Sequence, residues 1–237
     1  MADAHRIPVA DGESLAAVHH PADGERWLLF CHGFLSDKTG SYEGRCERAV
    51  AAGYDAVRFD FRGCGESDGA FVDQTLSAKL ADLRSVVAHF APGPYALFGS
   101  SFGGTVALHV AADDGRVRAV ATRAPVTDPG SLVEYRALVE REGRVRLEAG
   151  KEIDERFFAD LDRHDFEAVL DGLDCPVAIV HGAEDDVVAV GDSIDAVAAI
   201  DADVTLRKVP GEGHRFSRAA ETSLRDTTFD WLDRVWD

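Results

Sequence analysis

One short stretch of the chain has the residue types of a nucleophilic serine turn. Gly99, Ser101 and Gly103 fit the pattern G-x-S-x-G, after the apolar run YALF and before the helix-like run TVALHVAA. A turn this tight leaves no room for Cβ atoms beside the serine, and it projects the serine Oγ above the edge of a sheet. The helix that follows directs its free N–H groups toward a developing oxyanion. We therefore predict that Ser101 is a nucleophile and that Ser100 is structural.

A serine hydroxyl is a poor nucleophile at neutral pH, so it requires a base that is itself oriented by an acid. Two later segments supply these residue types. The segment His181–Val188 (HGAEDDVV) follows the apolar run VAIV, and Pro210–His214 (PGEGH) follows the run VTLRKV. Both lie just past the carboxyl end of a predicted strand, where open parallel sheets gather their sites. We predict His214 as the base, and the first segment offers the acidic residues Glu184, Asp185 and Asp186.

The elements that must position these residues alternate between strands and helices. Several strand runs are almost continuously apolar, as is typical of strands covered on both faces. The β-α-β-α order predicts the α/β class, with a mostly parallel sheet and helices on both faces. Two short runs at 6–9 and 15–19, joined at Asp11-Gly12, predict a leading antiparallel hairpin. The predicted strands are Trp27–Cys31, Ala56–Phe61, Tyr95–Phe98, Val117–Thr122, Val177–Val180 and Val204–Val209; the predicted helices are Tyr42–Ala52, Leu76–Phe90, Phe102–Asp113, Ser193–Ile200 and Ser217–Trp236.

One segment interrupts this alternation. From about 126 to 172 the pattern predicts short charged helices and no strand, with aromatic residues at Tyr135, Phe157, Phe158 and Phe166. An insertion of this length between core strands is usually functional or a small subdomain. The alternative is that its aromatic side chains only anchor a surface helix to the core. We predict a single domain over 1–237 with a short cap insertion at about 126–172.

Five motifs, in this order along the chain, resemble those of serine hydrolases with the α/β-hydrolase fold. The stretch SDGAF at Ser67–Phe71 and the short insertion make the chain similar to small carboxylesterases of the cinnamoyl or feruloyl esterase kind. The five motifs are HGF at His32–Phe34, DFRGCGES at Asp60–Ser67, GSSFGG at Gly99–Gly104, HGAEDDVV at His181–Val188 and GEGH at Gly211–His214.

The resemblance implies roles for individual residues. It places the acid on Asp185, three residues after the glycine of the second HG pair. A minority of the fold uses an acid after the preceding core strand, which would be Asp128. The resemblance also places the two oxyanion-hole N–H groups on Phe34 and on Phe102, the residue after the nucleophile. It assigns structural hydrogen bonds to the histidines of the two HG turns.

Together these features predict hydrolysis of a small carboxylic ester through an acyl-enzyme, with Ser101, Asp185 and His214 as catalytic residues. A thioesterase, an aminopeptidase-like enzyme or an acyltransferase would use the same residues, because function depends on the pocket rather than the fold. A non-catalytic binding protein on the same scaffold is the alternative of another class. The chain has no P-loop and no metal-binding motif, so we expect neither a cofactor nor a metal. We expect a monomer or a homodimer.

The charge balance excludes several classes of partner. The 237 residues include 25 Lys plus Arg and 43 Asp plus Glu, which gives a formal net charge of −18. Phosphate contacts need cationic side chains, so we expect neither nucleic acid nor a membrane surface as partner.

The chain begins without a signal-like segment, and its four cysteines form no C-x-x-C pair, so we expect free thiols in the cytoplasm. The 28 Asp against only four Lys are typical of proteins that work in molar salt; the alternative is an ordinary acidic protein of a mesophile.

This composition predicts that the protein needs high salt. The Debye length is about 30 Å at 0.01 M salt but only about 3 Å at 1 M, so molar KCl screens the repulsion among surface carboxylates. We expect the melting temperature and the hydrolytic activity to rise as KCl increases from millimolar to molar. Thermal melts and an ester hydrolysis assay across that range measure both. A melting temperature that is flat or falls with KCl contradicts the halophilic interpretation.

Overall fold

The computed structural model describes residues 1–236, and this range contains ten strands and eight α-helices. The strands are β1 (Asp3–Pro8), β2 (Ser14–His20), β3 (Arg26–Cys31), β4 (Tyr54–Phe59), β5 (Tyr95–Ser100), β6 (Val117–Arg123), β7 (Arg144–Arg146), β8 (Glu152–Asp154), β9 (Val177–Gly182) and β10 (Val204–Val209). The helices are α1 (Ser41–Ala51), α2 (Leu76–Phe90), α3 (Phe102–Asp113), α4 (Val133–Glu142), α5 (Glu155–Leu161), α6 (Phe166–Asp171), α7 (Val190–Ala199) and α8 (Arg218–Val235).

Within residues 1–236, eight strands form one sheet in the order β1-β2-β4-β3-β5-β6-β9-β10. The pairs β1–β2 and β2–β4 are antiparallel, and the five remaining pairs are parallel. The prediction of a mostly parallel sheet with a leading antiparallel hairpin is therefore confirmed. The parallel register brings the carboxyl ends of β3, β5, β6, β9 and β10 to one edge of the sheet, where the candidate site lies.

The sheet is covered on both faces, as the continuously apolar strand runs predict. Alternate residues of one strand point to opposite sides, so Leu28 and Leu29 of β3 enter two different hydrophobic clusters. One cluster contains side chains of α2, α3 and α7, and the other contains side chains of α1 and α8. All six residues of β5 are buried, so the strand that leads into Ser101 is held rigidly at the centre of the sheet.

Strand β4 ends two residues earlier than the sequence predicts. The apolar pattern extends to Phe61, but the strand stops at Phe59. The next residue, Asp60, is fully buried and uses its carboxylate as a hydrogen-bond acceptor for the N–H groups of Lys38 and Glu66. These bonds turn the chain away from the sheet although Phe61 remains buried.

Between β6 and α6 the chain forms two α-helices, α4 and α5, and two short strands, β7 and β8, that do not belong to the main sheet. The prediction that this segment contains no strand is wrong, because β7 and β8 pair as an antiparallel hairpin. Each strand has only three residues, too short for a two-residue alternation to be visible in the sequence. The aromatic side chains Phe157 and Phe158 of α5 are buried in the core.

The start of α3 lies against the loop after β3 so closely that only glycine fits at Gly103. A Cβ there would overlap the carbonyl oxygens of Cys31 and His32, which are backbone atoms and cannot swing aside. The other end of the turn is equally tight, because a Cβ at Gly99 would overlap the backbone of Gly103 and Gly104.

We therefore expect Gly103→Ala to lower the free energy of unfolding by at least about 2 kcal/mol, the cost of overpacking a rigid site. Gly191→Ala is the matched control, since Gly191 is also helical and a Cβ there meets nothing within 4 Å. That variant should be neutral or more stable by up to about 1 kcal/mol. Chemical denaturation of the three proteins measures the difference. Equal stability of the two variants would contradict the close approach at α3.

Candidate functional site

Ser101 occupies a strained turn between β5 and α3. Its backbone has φ 51° and ψ −126°, in a region that residues with a side chain rarely adopt. Such a conformation costs of order 1–3 kcal/mol and persists where the surrounding structure enforces it. Here the enforcing contacts are the bond from the Ser101 N–H to the Arg123 carbonyl, at 2.8 Å, and the tight glycines on either side. The turn leaves the Ser101 side chain half-buried at the sheet edge.

The structure brings Ser101, His214 and Asp185 together in one hydrogen-bonded chain. The Ser101 Oγ lies 3.1 Å from Nε2 of His214, and Nδ1 of His214 lies 2.8 Å from Oδ2 of Asp185. Because a carboxylate only accepts hydrogen bonds, the proton of the neutral imidazole belongs on Nδ1. Nε2 is then free to accept the hydrogen bond that the Ser101 hydroxyl donates.

Asp185 is the most heavily hydrogen-bonded carboxylate of the site. Its Oδ1 accepts the N–H groups of Val187 and Val188, each at 2.9 Å, and its Oδ2 lies 3.3 Å from Nε2 of His181. Burial alone would raise the pKa of Asp185, but these bonds and the one from His214 outweigh it and hold the pKa well below its ordinary value. The side chain is fully buried, but the lowered pKa keeps it ionised beside the imidazole.

The other candidate acids occupy different environments. Glu184 and Asp186 are exposed. Asp128 is also exposed, and its carboxylate accepts the Gly130 N–H at 2.6 Å, which caps the short turn at 129–132. Among the four carboxylates weighed from the sequence, Asp185 is the one that bonds to His214.

The loop after β3 passes directly beside the serine. A Cβ on Gly33 would lie 3.4 Å from the Cβ of Ser101, and Phe34 is the next residue of this loop. The Phe34 ring packs against the Phe102 ring with centroids 5.5 Å apart. The Phe102 N–H is in the first turn of α3, where a backbone N–H has no acceptor within its own helix. The two residues predicted as oxyanion donors are thus neighbours in the structure.

Buried polar side chains hold this loop in place. Nδ1 of His32 donates to the Gly33 carbonyl at 2.8 Å, and its Nε2 accepts the Phe61 N–H at 3.1 Å. Burial, aided by the charge of Lys79, lowers the pKa of His32 to about 3, so the ring is neutral and can do both. At the other end of the loop, Lys38 forms an ion pair in which its Nζ lies 2.5 Å from the buried carboxylate of Asp60.

Aromatic side chains from four parts of the chain form one wall of the site. The Phe34 ring contacts the rings of Phe71 and Phe157, with centroids 5.0 and 5.1 Å apart, in addition to Phe102. Phe157 comes from the segment between β6 and β9. Phe102 and Leu161 help to line a small cavity of about 20 Å³, and Leu161 also lines a wider groove of about 520 Å³.

Sequence reasoning missed several residues that support the site. Arg123 donates to the His214 carbonyl, and Glu221 pairs with Arg123 and Arg45. The signal for Arg123 was weak: an arginine directly after a strand run that otherwise ends in apolar residues and Thr122. The described residues 1–236 contain no group of three or more His, Cys, Asp or Glu side chains that could hold a metal. Over the same range, each helix is either too short or too polar to cross a membrane.

A family model described as serine aminopeptidase, S33 (Hydrolase_4) matches residues 23–154, which is more than half of the chain and includes Phe34 and Ser101. This protein belongs to that family of hydrolases. The mitochondrial palmitoyl-protein thioesterase ABHD10 of Pongo abelii is 33% identical over 222 residues, which cover 86% of this chain and 72% of the relative.

Solved structures agree with the family assignment. The mouse α/β-hydrolase domain-containing protein 10 superimposes with a TM-score of 0.87 at 25% identity, covering 98% of this chain and 99% of that one. Est1E from Butyrivibrio proteoclasticus with bound ferulic acid has a TM-score of 0.84 at 20% identity, with 97% and 99% coverage, and shows the shared fold. The chain is therefore an α/β-hydrolase, and the predicted fold class and serine hydrolase resemblance are confirmed.

The hydrogen bonds of Asp185 predict a large difference between two neighbouring substitutions. Asp185→Asn keeps the shape of the side chain but favours the wrong tautomer of His214 and cannot balance its charge. We expect hydrolysis to fall by up to about 10⁴-fold, as in a serine protease with the equivalent change. Asp186→Asn alters an exposed carboxylate and should leave the rate within about twofold of wild type. Steady-state kinetics on purified variants with matching circular dichroism measure the difference. An inactive Asp186→Asn would contradict the assignment of Asp185 as the acid.

Proposed function

We propose that this α/β-hydrolase cleaves acyl esters through a covalent acyl-enzyme on Ser101. The observation that carries the proposal is the hydrogen-bonded chain from Ser101 Oγ through the His214 ring to Asp185, at 3.1 and 2.8 Å. A nucleophile within reach of a base that a third group orients is the arrangement that activates serine. The chemistry needs only these side chains and water.

In the first half of the reaction, Ser101 Oγ attacks the acyl carbonyl while His214 Nε2 takes the serine proton. The same proton then passes from Nε2 to the departing alcohol, which leaves the acyl group on Oγ. In the second half a water molecule attacks the acyl carbon, again giving its proton to Nε2, and Ser101 leaves as the protonated hydroxyl. Asp185 keeps the imidazole in the productive tautomer and stabilises its charged form at both stages.

The backbone N–H groups of Phe34 and Phe102 are the proposed donors to the oxyanion. Removing one donor of this type costs roughly 3–4 kcal/mol of transition-state stabilisation. The aromatic wall around Phe34 would hold an apolar acyl group against these donors. Phe157 of this wall belongs to the segment between β6 and β9, which supports the assignment of residues 126–172 as a cap within a single catalytic domain.

A thioester is the second candidate substrate. The observation that favours it is the name of the relative from Pongo abelii, a palmitoyl-protein thioesterase at 33% identity. Ester and thioester hydrolysis use the same acyl-enzyme, so the residues described above serve either reaction. An aminopeptidase-like or acyltransferase activity would also use them, with an amide as substrate or another nucleophile in place of water.

The two substrate classes separate in a matched panel. We would compare p-nitrophenyl esters and acyl thioesters that carry the same acyl groups of increasing chain length. A carboxylesterase has its highest kcat/KM on an ester, and a thioesterase has it on the corresponding thioester. Hydrolysis of neither class would contradict both assignments.

Two adjacent serines allow a direct test of the mechanism, because the register of the turn, meaning which serine is at its centre, assigns the nucleophile to Ser101 and not to Ser100. Ser101→Ala removes the nucleophile, so we expect loss of hydrolysis and of covalent labelling by a fluorophosphonate. Ser100→Ala removes a buried hydroxyl and should keep most of the activity. Mass spectrometry of the labelled peptide identifies the modified residue. Equal loss in both variants would contradict the register, and an unlabelled but folded wild-type protein would indicate a binding protein on this scaffold.

A further inference from the structure

Arg123 touches both halves of the proposed catalytic machinery. It is the last residue of β6, and its side chain is 13% exposed. Its Nη1 donates to the backbone carbonyl of His214 at 3.0 Å. Its own carbonyl accepts the N–H of Ser101 at 2.8 Å. One residue thus connects the nucleophile turn to the loop that carries the base.

A buried ion-pair network holds the Arg123 side chain. Oε1 of Glu221, on α8, lies 3.5 Å from Nη1 of Arg123, and Oε2 of the same carboxylate lies 2.7 Å from Nη2 of Arg45. Arg45 also donates to Ser100 Oγ at 3.3 Å. Its guanidinium lies over the ring of Phe98 at 4.6 Å. Arg45 therefore contacts β5 through Phe98 and Ser100, and Arg123 contacts the turn through the Ser101 N–H.

The loop that carries His214 is flexible by composition, so a hydrogen bond such as the one from Arg123 is needed to restrain it. It contains Gly211, with φ 75°, and Gly213, and glycine loses more conformational freedom on ordering than other residues. The imidazole must nevertheless stay within about 0.5 Å of its productive position relative to Ser101 Oγ for efficient proton transfer. A charge-assisted hydrogen bond to the carbonyl of His214 itself restrains the backbone from which the imidazole projects.

We propose that Arg123 is a positioning residue that holds the His214 backbone, and hence its imidazole, in register with Ser101. The inference rests on the proposed serine hydrolase function. Arg123 acts on catalysis through the proton-transfer geometry, so its loss should lower kcat and leave the substrate-binding surfaces around Phe34 unchanged. A residue that only stabilised the fold would lower the melting temperature without this selective effect on kcat.

The test compares Arg123→Met, Arg123→Lys and a matched control. Met keeps an unbranched stem but removes the donors and the charge, and Lys keeps the charge and one centre of donation. The control is Arg207→Met: this arginine lies on β10 and also bonds to α8, donating to Ser223 at 3.0 Å and to Thr227, but it is exposed and does not bond to His214. The measurements are kcat and KM on a p-nitrophenyl ester, the melting temperature, and fluorophosphonate labelling of Ser101.

For Arg123→Met we expect kcat to fall by about 10- to 100-fold, the effect of a small misplacement of a catalytic group, with KM within about threefold of wild type. Arg123→Lys should recover part of the loss, and Arg207→Met should match wild type in kcat. Should the Met variant fail to fold, Arg123→Gln takes its place, because Gln stays polar but is shorter and carries no charge; a kcat equal to wild type in that variant would overturn the proposal. An unchanged kcat, or a change in KM alone, in folded Arg123→Met would do the same.

These measurements distinguish a failure of the positioning role of Arg123 from a failure of the serine hydrolase function. If wild-type Ser101 is labelled and Ser101→Ala is inactive while Arg123→Met keeps its kcat, the positioning role fails and the serine hydrolase function stands. If wild-type Ser101 is neither labelled nor needed for hydrolysis, the proposed function fails, and the role of Arg123 fails with it.

Discussion

The left-handed backbone of Ser101 is the constraint on which the rest of the site depends. A residue with a Cβ adopts this conformation only where the surrounding structure enforces it. Here the fully buried strand β5 precedes Ser101, and helix α3, which packs closely at Gly103, follows it. The strain raises the serine side chain out of the sheet edge. It also brings the start of α3 against the loop after β3, which makes Phe34 and Phe102 neighbours. That close approach brings the loop after β3 beside the Ser101 turn.

Charge is distributed in two different ways in this molecule. The surface carries most of the excess of carboxylates that gives the net charge of −18, and these groups are stable there because water and salt ions surround them. The buried carboxylates of Asp185 and Asp60 are instead bonded to several donors each. Removing a carboxylate from water is costly unless hydrogen bonds replace the lost hydration. The bonds of these two carboxylates hold the turn after β9 and the loop after β3 in place.

Much of the fold could be predicted from local pattern, and the failures have local causes. The core strands and the helices after Ser101 and Thr75 are long and continuously patterned, so their positions were readable in the sequence. The hairpin of β7 and β8 was missed because three-residue strands carry no visible period. Strand β4 ends early because Asp60 bonds to distant partners, Lys38 and Glu66, and an apolar run cannot reveal such a bond.

The sequence restricts the chemistry of the site through residue type and order. A glycine-flanked serine stands between a buried strand and a helix, and an acidic turn and a GEGH loop follow it along the chain. The sequence left several carboxylates open as the acid, and it gave no role to Arg123. The folded structure shows which of these carboxylates bonds to His214, and that Arg123 bonds to the same residue. The contacts of His214 with Asp185, Arg123 and Ser101 span 29, 91 and 113 residues of chain. Local pattern cannot measure such contacts, because they exist only once the parallel strands have brought their carboxyl ends to one edge of the sheet.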